Sequence, residues 1–295
     1  MRFGFLHNVI TVDGIDPNAG WDMHYQFDAQ QNHWITNPQF DFVSGEYDFR
    51  ASRIEAVWRR SVFYKRGEYW LVSDGLVGSG KRQLESTFQF AVETKVEPDG
   101  QTVRATAANS AQLHIYSADE VLQPRVVISD TSFAGTTFPV REPNIDHIAG
   151  GRGWVGAFGN HSPLDPHKSH PAPALVLAGE TELPFTSVRV FAPSRGKKIN
   201  SLRVTQLIDA PQQVRVQIAH DGDALGTVDI WDMQLAEMPK MYQKQAKDRS
   251  FWLRQKGGAV QEIALINRQK LEFAQTDQRY QIAFSEPVVA TIAKT

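Results

Sequence analysis

The chain has 295 residues, with 31 Lys and Arg against 33 Asp and Glu, nine His and no Cys. A formal net charge of −2 argues against a protein that binds nucleic acid, because binding the phosphate backbone requires a surplus of clustered Lys and Arg. The lack of Cys excludes disulfides, Cys-ligated zinc, iron–sulfur clusters and Cys catalysis.

The chain opens with Met1 to Asn8, a stretch too short and too soon polar for a signal peptide. Residues 7–14 then predict a short strand that ends in an Asp-Gly turn. No apolar run in the chain approaches the roughly 18 residues needed to span a bilayer, so we expect no membrane partner. The protein is therefore either a cytoplasmic chain or a segment cut from something longer.

Alternation of apolar and polar residues predicts an all-β protein. Leu84, Ser86, Phe88 and Phe90 fall on one face of the clearest half-buried strand. Two aromatic and β-branched runs, 57–64 and 69–73, flank a short charged connection with one Gly, which predicts a hairpin. The same pattern recurs at residues 102–106, 112–116, 125–129, 187–191, 202–207, 214–219, 227–231, 262–266 and 280–284. Such spacing is typical of stacked antiparallel sheets, here a large β-sandwich with little helix.

Only residues 233–247 have a helical composition, and Pro239 interrupts them, so we expect at most a short helix or two turns there. The longest irregular stretch runs from about Ser132 to Pro173, and a loop of this length is usually functional or a lid. A turn-rich segment at 193–198 divides the chain into a main β-sandwich domain, 1–195, and a C-terminal β-sheet portion, 196–295. The second portion could also continue the first.

Residues 75–81 match the Gly-x4-Gly-Lys opening of a phosphate-binding loop. Arg82 stands where that motif needs a Ser or Thr to ligate magnesium. The mechanism also requires a following helix, whereas residues 83–90 alternate as a strand. We therefore interpret these glycines as part of a hairpin.

Three histidines, His161, His167 and His170, lie close together with Asp165 between them. Imidazoles and a carboxylate suit zinc, but three prolines in the segment make the ligand geometry hard to predict. A polar loop without metal is the alternative, and the sequence leaves both open.

Five of the seven Trp residues divide into two groups by their sequence context. Trp58 and Trp70, like Phe88, alternate along strands, and this pattern favours core packing. Trp21, Trp34 and Trp154 lie in less regular polar contexts and are better candidates for ligand contact.

Three segments together resemble the C-terminal β-structured part of the heparinase II/III-like polysaccharide lyases. Residues 7–14 look like the family's His-Asn-Thr-Val-x-Val-Asp-Gly stretch. Residues 58–76 are similar to its Arg-x-Val hairpin followed by Tyr-Trp-x-Val-x-Asp. Residues 152–155, followed by the Pro-Ala-Pro series at 171–173 and by 184–193, resemble its Gly-Trp and Pro-Ala-Pro series before a strand. The order and spacing match over most of the chain.

The resemblance implies β-elimination on uronate-containing polysaccharides. A neutralised uronate carboxylate acidifies the C5 proton, a base removes it, and a Tyr or His protonates the leaving oxygen. In the family these groups lie mainly on a preceding α-helical toroid, so we expect no catalytic residue in this chain.

The resemblance also implies which residues serve the site. His7 matches a histidine that ligates a structural zinc, with its companion ligands upstream, so zinc belongs to a full-length parent and this chain by itself requires no cofactor. Asn8, Arg152 and Trp154 are the expected substrate-binding residues. The implied partners are an acidic polysaccharide or oligosaccharide and the parent's N-terminal α-toroid, with a homodimer left open, and the implied location is periplasmic or extracellular.

Two alternatives from other classes remain. One is a stand-alone carbohydrate-binding or structural sandwich without catalytic activity. The other is a hydrolase that uses loop carboxylates such as Asp146 and Asp165.

Overall fold

The fold is a stack of antiparallel sheets. The computed structural model describes residues 8–15, 33–128, 154–156, 169–195, 201–210, 212–237, 248–275 and 278–293. Within these ranges there are 20 strands, and the helical element is a single 3₁₀ turn at Phe49–Ser52. The strands form an eight-stranded, a six-stranded, a four-stranded and a two-stranded sheet. The predicted all-β class with little helix is confirmed.

The eight-stranded sheet is the central layer. Its strands, in spatial order, are β2 (His33–Thr36), β3 (Phe40–Asp48), β4 (Ala56–Lys65), β5 (Tyr69–Gly78), β14 (Phe185–Arg195), β9 (Ala111–Ser117), β8 (Thr102–Thr106) and β7 (Lys95–Asp99). Both faces of its middle strands are apolar. Because side chains alternate along a strand, each face packs against a different neighbouring sheet.

The four-stranded sheet covers one face of this layer. Its order is β1 (Ile10–Val12), β6 (Lys81–Gln89), β13 (Ala174–Glu182) and β10 (Gln123–Val127). Even-numbered residues of β4 and β5, such as Trp58 and Leu76, share a buried cluster with Leu84, Phe88 and Leu177 of the covering sheet. Trp58 and Phe88 are therefore core residues, as their alternation predicted.

The six-stranded sheet packs on the opposite face. Its order is β15 (Leu202–Ala210), β16 (Gln213–His220), β17 (Val228–Gln234), β18 (Arg249–Lys256), β19 (Ala259–Gln275) and β20 (Gln278–Ala293). Odd-numbered residues of the central strands, such as Phe63 and Leu71, share a second cluster with Val216, Trp231 and Trp252. Residues before and after position 195 thus share one core, although the division at 195 coincides with the change from one sheet to the next. The division into two domains stays a prediction.

The long β19–β20 hairpin bends. Its register shifts between Ile266 and Arg268 and again before Lys270, and Asn267 has a φ of +54°. Such irregularities bend a strand and increase its twist. As a result Leu271, near the hairpin tip, packs with Phe251 and Leu265 on the outer face of the six-stranded sheet.

An ion-pair network joins the central and six-stranded sheets. Asp229, fully buried on β17, accepts hydrogen bonds from Tyr69 Oη (2.7 Å), His220 Nε2 (2.9 Å) and Arg254 Nε (2.7 Å). Arg254 also holds Glu68 with two contacts of 2.6 and 2.7 Å. The network ties β17 and β18 to the β4–β5 hairpin.

The structure confirms the predicted hairpin but not the start of the predicted helix. The predicted β4–β5 hairpin is confirmed, and residues 75–81 form the end of β5 and its turn into β6, with Gly80 at φ +79°. The helix expected from residue 233 is wrong at its start, because Met233 and Gln234 belong to β17 and Met233 is buried in the core. Residues 238–247 lie outside the described ranges.

The irregular stretch expected from 132 to 173 contains some strand structure. Trp154–Gly156 (β11) and Ser169–Pro171 (β12) form an antiparallel ladder. Elsewhere in the described ranges, strands β2, β3, β7, β13 and β18 were not predicted. No helix in the described part of the chain is long and apolar enough to cross a bilayer.

Candidate functional site

One corner of the central sheet is only partly covered, because Val62 and Trp70 touch the core under the four-stranded sheet but remain partly exposed. Trp34 lies opposite Val43, and Val43 opposite Val62, on the face that elsewhere packs on the four-stranded sheet. Tyr64 and Trp70 are cross-strand partners one row along on the same face. These five side chains, which we call the aromatic corner, are partly or largely exposed, and Trp34 is 74% exposed.

The β4–β5 hairpin positions the corner's central ring pair. Tyr64 and Trp70 flank the hairpin loop and stack with ring centroids 4.8 Å apart and an interplanar angle of 15°. The Tyr64 hydroxyl accepts a hydrogen bond from the Gly67 backbone N–H at 3.0 Å, and Gly67 has a φ of +78°. Positive φ suits Gly, which carries no Cβ to clash. The loop therefore holds the stacked pair in one orientation.

A polar rim borders the corner on the edge strands. Arg66 donates to Asp41 Oδ1 at 2.6 Å and to Thr36 Oγ1 at 2.8 Å, and its side chain is 43% exposed. Apolar rings beside exposed hydrogen-bonding groups form the kind of surface that binds a ligand with both apolar and polar faces.

A buried ion-pair cluster lies beside the corner on the same face. Arg60 donates to both oxygens of the fully buried Asp74, at 2.7 and 2.8 Å, and Trp58 Nε1 donates to the same carboxylate at 2.9 Å. The Arg60 guanidinium also lies over the rings of Trp58 and Phe88, 5.0 and 5.4 Å from their centroids. Two charge-assisted bonds and two ring faces thus fix its position.

Arg189 lies deeper in the cluster and is fully buried. Its guanidinium is 4.0 Å from Asp74 and 3.7 Å from Asp119. Burial lowers the pKa of Arg189, although Asp119 and Asp74 oppose this shift. The two carboxylates therefore balance much of the charge of Arg60 and Arg189.

Asn8, a predicted substrate-binding residue, lies next to this cluster. Its backbone carbonyl accepts a hydrogen bond from Arg60 Nη1, and its side-chain oxygen accepts one from the Gln89 backbone N–H at 2.7 Å. Asn8 is nevertheless exposed. The contacts hold its side chain at the end of β6, and no hydrogen bond from its side-chain amide nitrogen to a described residue is found.

The other predicted site residues lie partly or wholly outside the described structure. The backbone of Trp154 pairs with Pro171, and Pro173 accepts a hydrogen bond from the Phe90 N–H at 3.0 Å. The Trp154 backbone is thereby attached near the end of β6 that holds Asn8, while its side chain lies outside what is described. His7 and Arg152 also lie outside the described residues, so their roles stay predictions.

The proposed metal ligands, the two loop carboxylates of the hydrolase alternative and Trp21 also lie wholly or partly outside the described structure. His161, His167, Trp21, Asp146 and Asp165 lie outside the described ranges, and for His170 only the backbone is described, paired with Val155. Among the described residues no group of three or more His, Cys, Asp or Glu side chains could hold a metal ion. The described residues therefore do not form a zinc site by themselves.

Sequence reasoning did not identify Arg60 and Tyr64 as site residues, and it assigned Trp70 to the core. A usable signal existed for the ring pair, because Tyr64 and Trp70 are symmetrically placed about the short hairpin loop and must face each other across it. No local signal marks Arg60, whose partners Asp74, Phe88 and Asn8 lie on other strands or at the end of one.

The chain is similar to a known protein family and to several solved structures. Residues 4–149 match the family model described as heparinase II/III-like, C-terminal. Among solved structures, a heparan sulfate lyase HepC mutant from Pedobacter heparinus is similar, with 16% identity, a TM-score of 0.51, and 74% of this chain and 29% of that chain covered. A heparinase III is similar with 11% identity, a TM-score of 0.52, and 78% and 30% covered. No curated protein gives a significant match.

At these identities the solved structures show a shared fold. The chain corresponds to less than a third of the length of either structure. The family match covers β1 to β10, and it includes Asn8, Arg60 and the whole aromatic corner. The resemblance seen in the sequence is confirmed: residues 4–149 of the chain belong to the C-terminal region of the heparinase II/III-like family.

Proposed function

We propose that this chain is the β-structured domain of a polysaccharide lyase that acts by β-elimination on uronate-containing polysaccharides. The aromatic corner, in this proposal, supports the sugar chain. The observation that carries it is the 74% exposed Trp34 beside the stacked Tyr64 and Trp70, within the residues that match this family. Exposed apolar surface of this kind, rimmed by polar groups, is typical of ligand-binding grooves.

Asn8 and Arg60 have complementary roles in the proposal. The amide nitrogen of Asn8 donates to a sugar oxygen, while Arg60 is a positioning residue that fixes the Asn8 backbone. Arg60 itself is held by Asp74, so its charge is largely compensated. Contact with uronate carboxylates would then come from Arg66 at the rim or from Arg152.

The chemical step needs groups that this chain does not supply. Removing the C5 proton and protonating the leaving oxygen require a base and an acid, which we assign to an N-terminal α-toroid in a longer parent protein. From the resemblance to this family, we also place that parent in the periplasm or outside the cell. Zinc held by His7 with ligands from the preceding domain, and a homodimer, are further parts of this hypothesis.

Replacing Trp34 with Ala should weaken binding of a uronate tetrasaccharide about 5- to 30-fold, or roughly 1–2 kcal/mol, because one ring face is lost from the corner. Isothermal titration calorimetry on the purified chain would measure this. The midpoint of thermal unfolding should hardly change, since the Trp34 side chain is largely exposed.

Leu225→Ala is a matched control, because Leu225 is also exposed, at 61%, but lies in the turn between β16 and β17. Equal affinities of the Trp34 and Leu225 variants would contradict the role of the corner.

The purified chain alone should release no unsaturated product from a uronate polysaccharide. Ultraviolet absorbance detects this product, and clear product formation would contradict the assignment of catalysis to another domain.

The second candidate is a stand-alone carbohydrate-binding module. The completeness of the aromatic corner within this one chain favours it, because sugar binding would then need no other domain. The DNA directly upstream of the region that encodes this chain distinguishes the two candidate functions. A reading frame for a helical toroid with a His-x-Asp motif supports the lyase, whereas its absence together with glycan binding by the chain supports the module.

A further inference from the structure

A second cluster of polar side chains lies on the outer face of the six-stranded sheet, away from the aromatic corner. Arg215, Asp232 and Phe251 are cross-strand partners in one row across β16, β17 and β18. Gln213, Gln234 and Arg249 form the next row on the same face. The bend in β19 adds Arg268, which contacts Asp232. We call Arg215, Arg249 and Arg268 the arginine group.

The arginine group carries more positive charge than its carboxylate can balance. Asp232 is fully buried and pairs with Arg215 at 2.8 Å and with Arg268. It also accepts from Gln213 Nε2 at 2.9 Å. Among the described residues Asp232 is the one carboxylate paired with either arginine, and no ion pair of Arg249 with a described residue is found. Two guanidinium groups therefore share one carboxylate, and Arg249 lies in the next row on the same face.

The geometry of the group leaves donors for a ligand. The guanidinium groups of Arg215 and Arg268 lie 5.7 and 4.9 Å from the centroid of the Phe251 ring, which orients them. The Arg215 side chain is 34% exposed, and Arg249 is exposed at the start of β18. Burial lowers the pKa of Arg268, and the charges of Arg215 and Arg249 lower it further, against the opposing effect of Asp232. A bound anion would relieve this repulsion.

We propose that the arginine group is an oxyanion-binding site that takes a carboxylate or sulfate group of an acidic polysaccharide. Planar guanidinium groups match both oxyanions through paired N–H donors. Gln213 and Gln234 flank the site and add amide donors. The corner and this site lie on different layers of the stack, so they would hold separate stretches of chain or separate molecules. The polysaccharide part of this inference rests on the proposed function, but anion binding does not.

The test is titration of the purified chain with two probes, inorganic sulfate and a sulfated uronate oligosaccharide, followed by calorimetry. Both should bind, and the Arg215→Gln/Arg249→Gln double variant should weaken both by at least ~10-fold, or about 1.4 kcal/mol. Arg249→Gln alone, at an exposed position, should weaken them by a smaller factor without lowering the unfolding midpoint. This single variant keeps the test valid if the loss of the Arg215–Asp232 pair impairs folding.

Arg203→Gln is the matched control. Arg203 lies in the same sheet, its side chain is 70% exposed, and Asp221 neutralises it at 3.1 Å. Unchanged sulfate affinity in the double variant, or an equal loss in the Arg203 variant, would overturn the site. Binding of sulfate without the oligosaccharide would overturn the polysaccharide assignment alone. Trp34→Ala should leave sulfate affinity unchanged, so a failure of the corner and a failure of this site are distinguishable.

Discussion

Replacing Asp229 with Ala is expected to lower the free energy of unfolding by about 3–5 kcal/mol, because removing one member of a buried ion pair leaves its partners uncompensated. The Asp229 carboxylate receives hydrogen bonds from Tyr69 on the central sheet and from His220 and Arg254 on the six-stranded sheet. Among the described residues, Arg254 would then keep Glu68 as its acidic partner. Urea-induced unfolding followed by Trp fluorescence would measure the change.

Ionisation of Asp229 should also make the free energy of unfolding depend on pH. Burial by itself would raise the pKa of Asp229, but the hydrogen bonds from Arg254 and His220 outweigh burial and lower it. The folded state therefore favours the ionised form. The resulting stability is present above the ordinary pKa of an Asp and is lost as the pH falls through the lowered value. The difference between the wild type and Asp229→Asn should thus be large at neutral pH and shrink in acid.

Asp221→Ala provides the control for this residue. Asp221 is 40% exposed and pairs with the exposed Arg203, an interaction worth less than about 1 kcal/mol. A loss for Asp229→Ala as small as that of Asp221→Ala would show that the buried network does not stabilise the contact between the sheets.

Replacing Asp74 with Ala is expected to have an effect of similar size, about 3–5 kcal/mol. Among the described residues, the fully buried Arg189 would keep Asp119, at 3.7 Å, as its acidic partner, and Arg60 would lose both of its bonds to Asp74. Because Arg60 holds the Asn8 backbone, affinity for a uronate tetrasaccharide should fall as well. Chemical denaturation and calorimetry would measure the two effects separately.

A paired substitution tests the electrostatic cause. Asp74→Asn/Arg189→Met removes one charge of each sign. The buried positive charge of Arg189 is therefore removed together with the Asp74 carboxylate that compensates it. This variant should be less destabilised than Asp74→Asn alone, because both variants keep the side-chain oxygen that accepts from Trp58 Nε1. If it is destabilised equally or more, the uncompensated charge of Arg189 does not account for the effect of Asp74.

Local sequence patterns predicted much of the strand content. The β4–β5 hairpin follows from two β-branched and aromatic runs around a short loop, because such a loop sets the register of both strands. The false phosphate-binding motif was rejected for the same reason, since the residues after it alternate as a strand. Strand β3 was missed although its first residues alternate, and β13 was missed because a strand buried on both faces does not alternate.

The candidate site was less predictable than the strands. Asn8 was selected by resemblance, and its contact with Arg60 joins residues 52 positions apart. Trp70 alternates along its strand as Trp58 does, yet Trp58 is buried and Trp70 is only partly so. The difference arises because the four-stranded sheet covers one end of the central sheet and stops short of the other.

The sequence by itself determined the all-β class and the hairpin that stacks Tyr64 on Trp70, because both depend on residues near one another in the chain. It also showed the resemblance to the family, through the order and spacing of three short segments. Only the tertiary structure decided which faces are covered, since burial depends on a second sheet whose strands come from distant parts of the sequence. The near-neutral total charge illustrates the same limit. It argued against a surface that binds nucleic acid, but it concealed an arginine group in which Arg215 and Arg268 share Asp232 and Arg249 lies in the next row, brought together only by four strands and a bend.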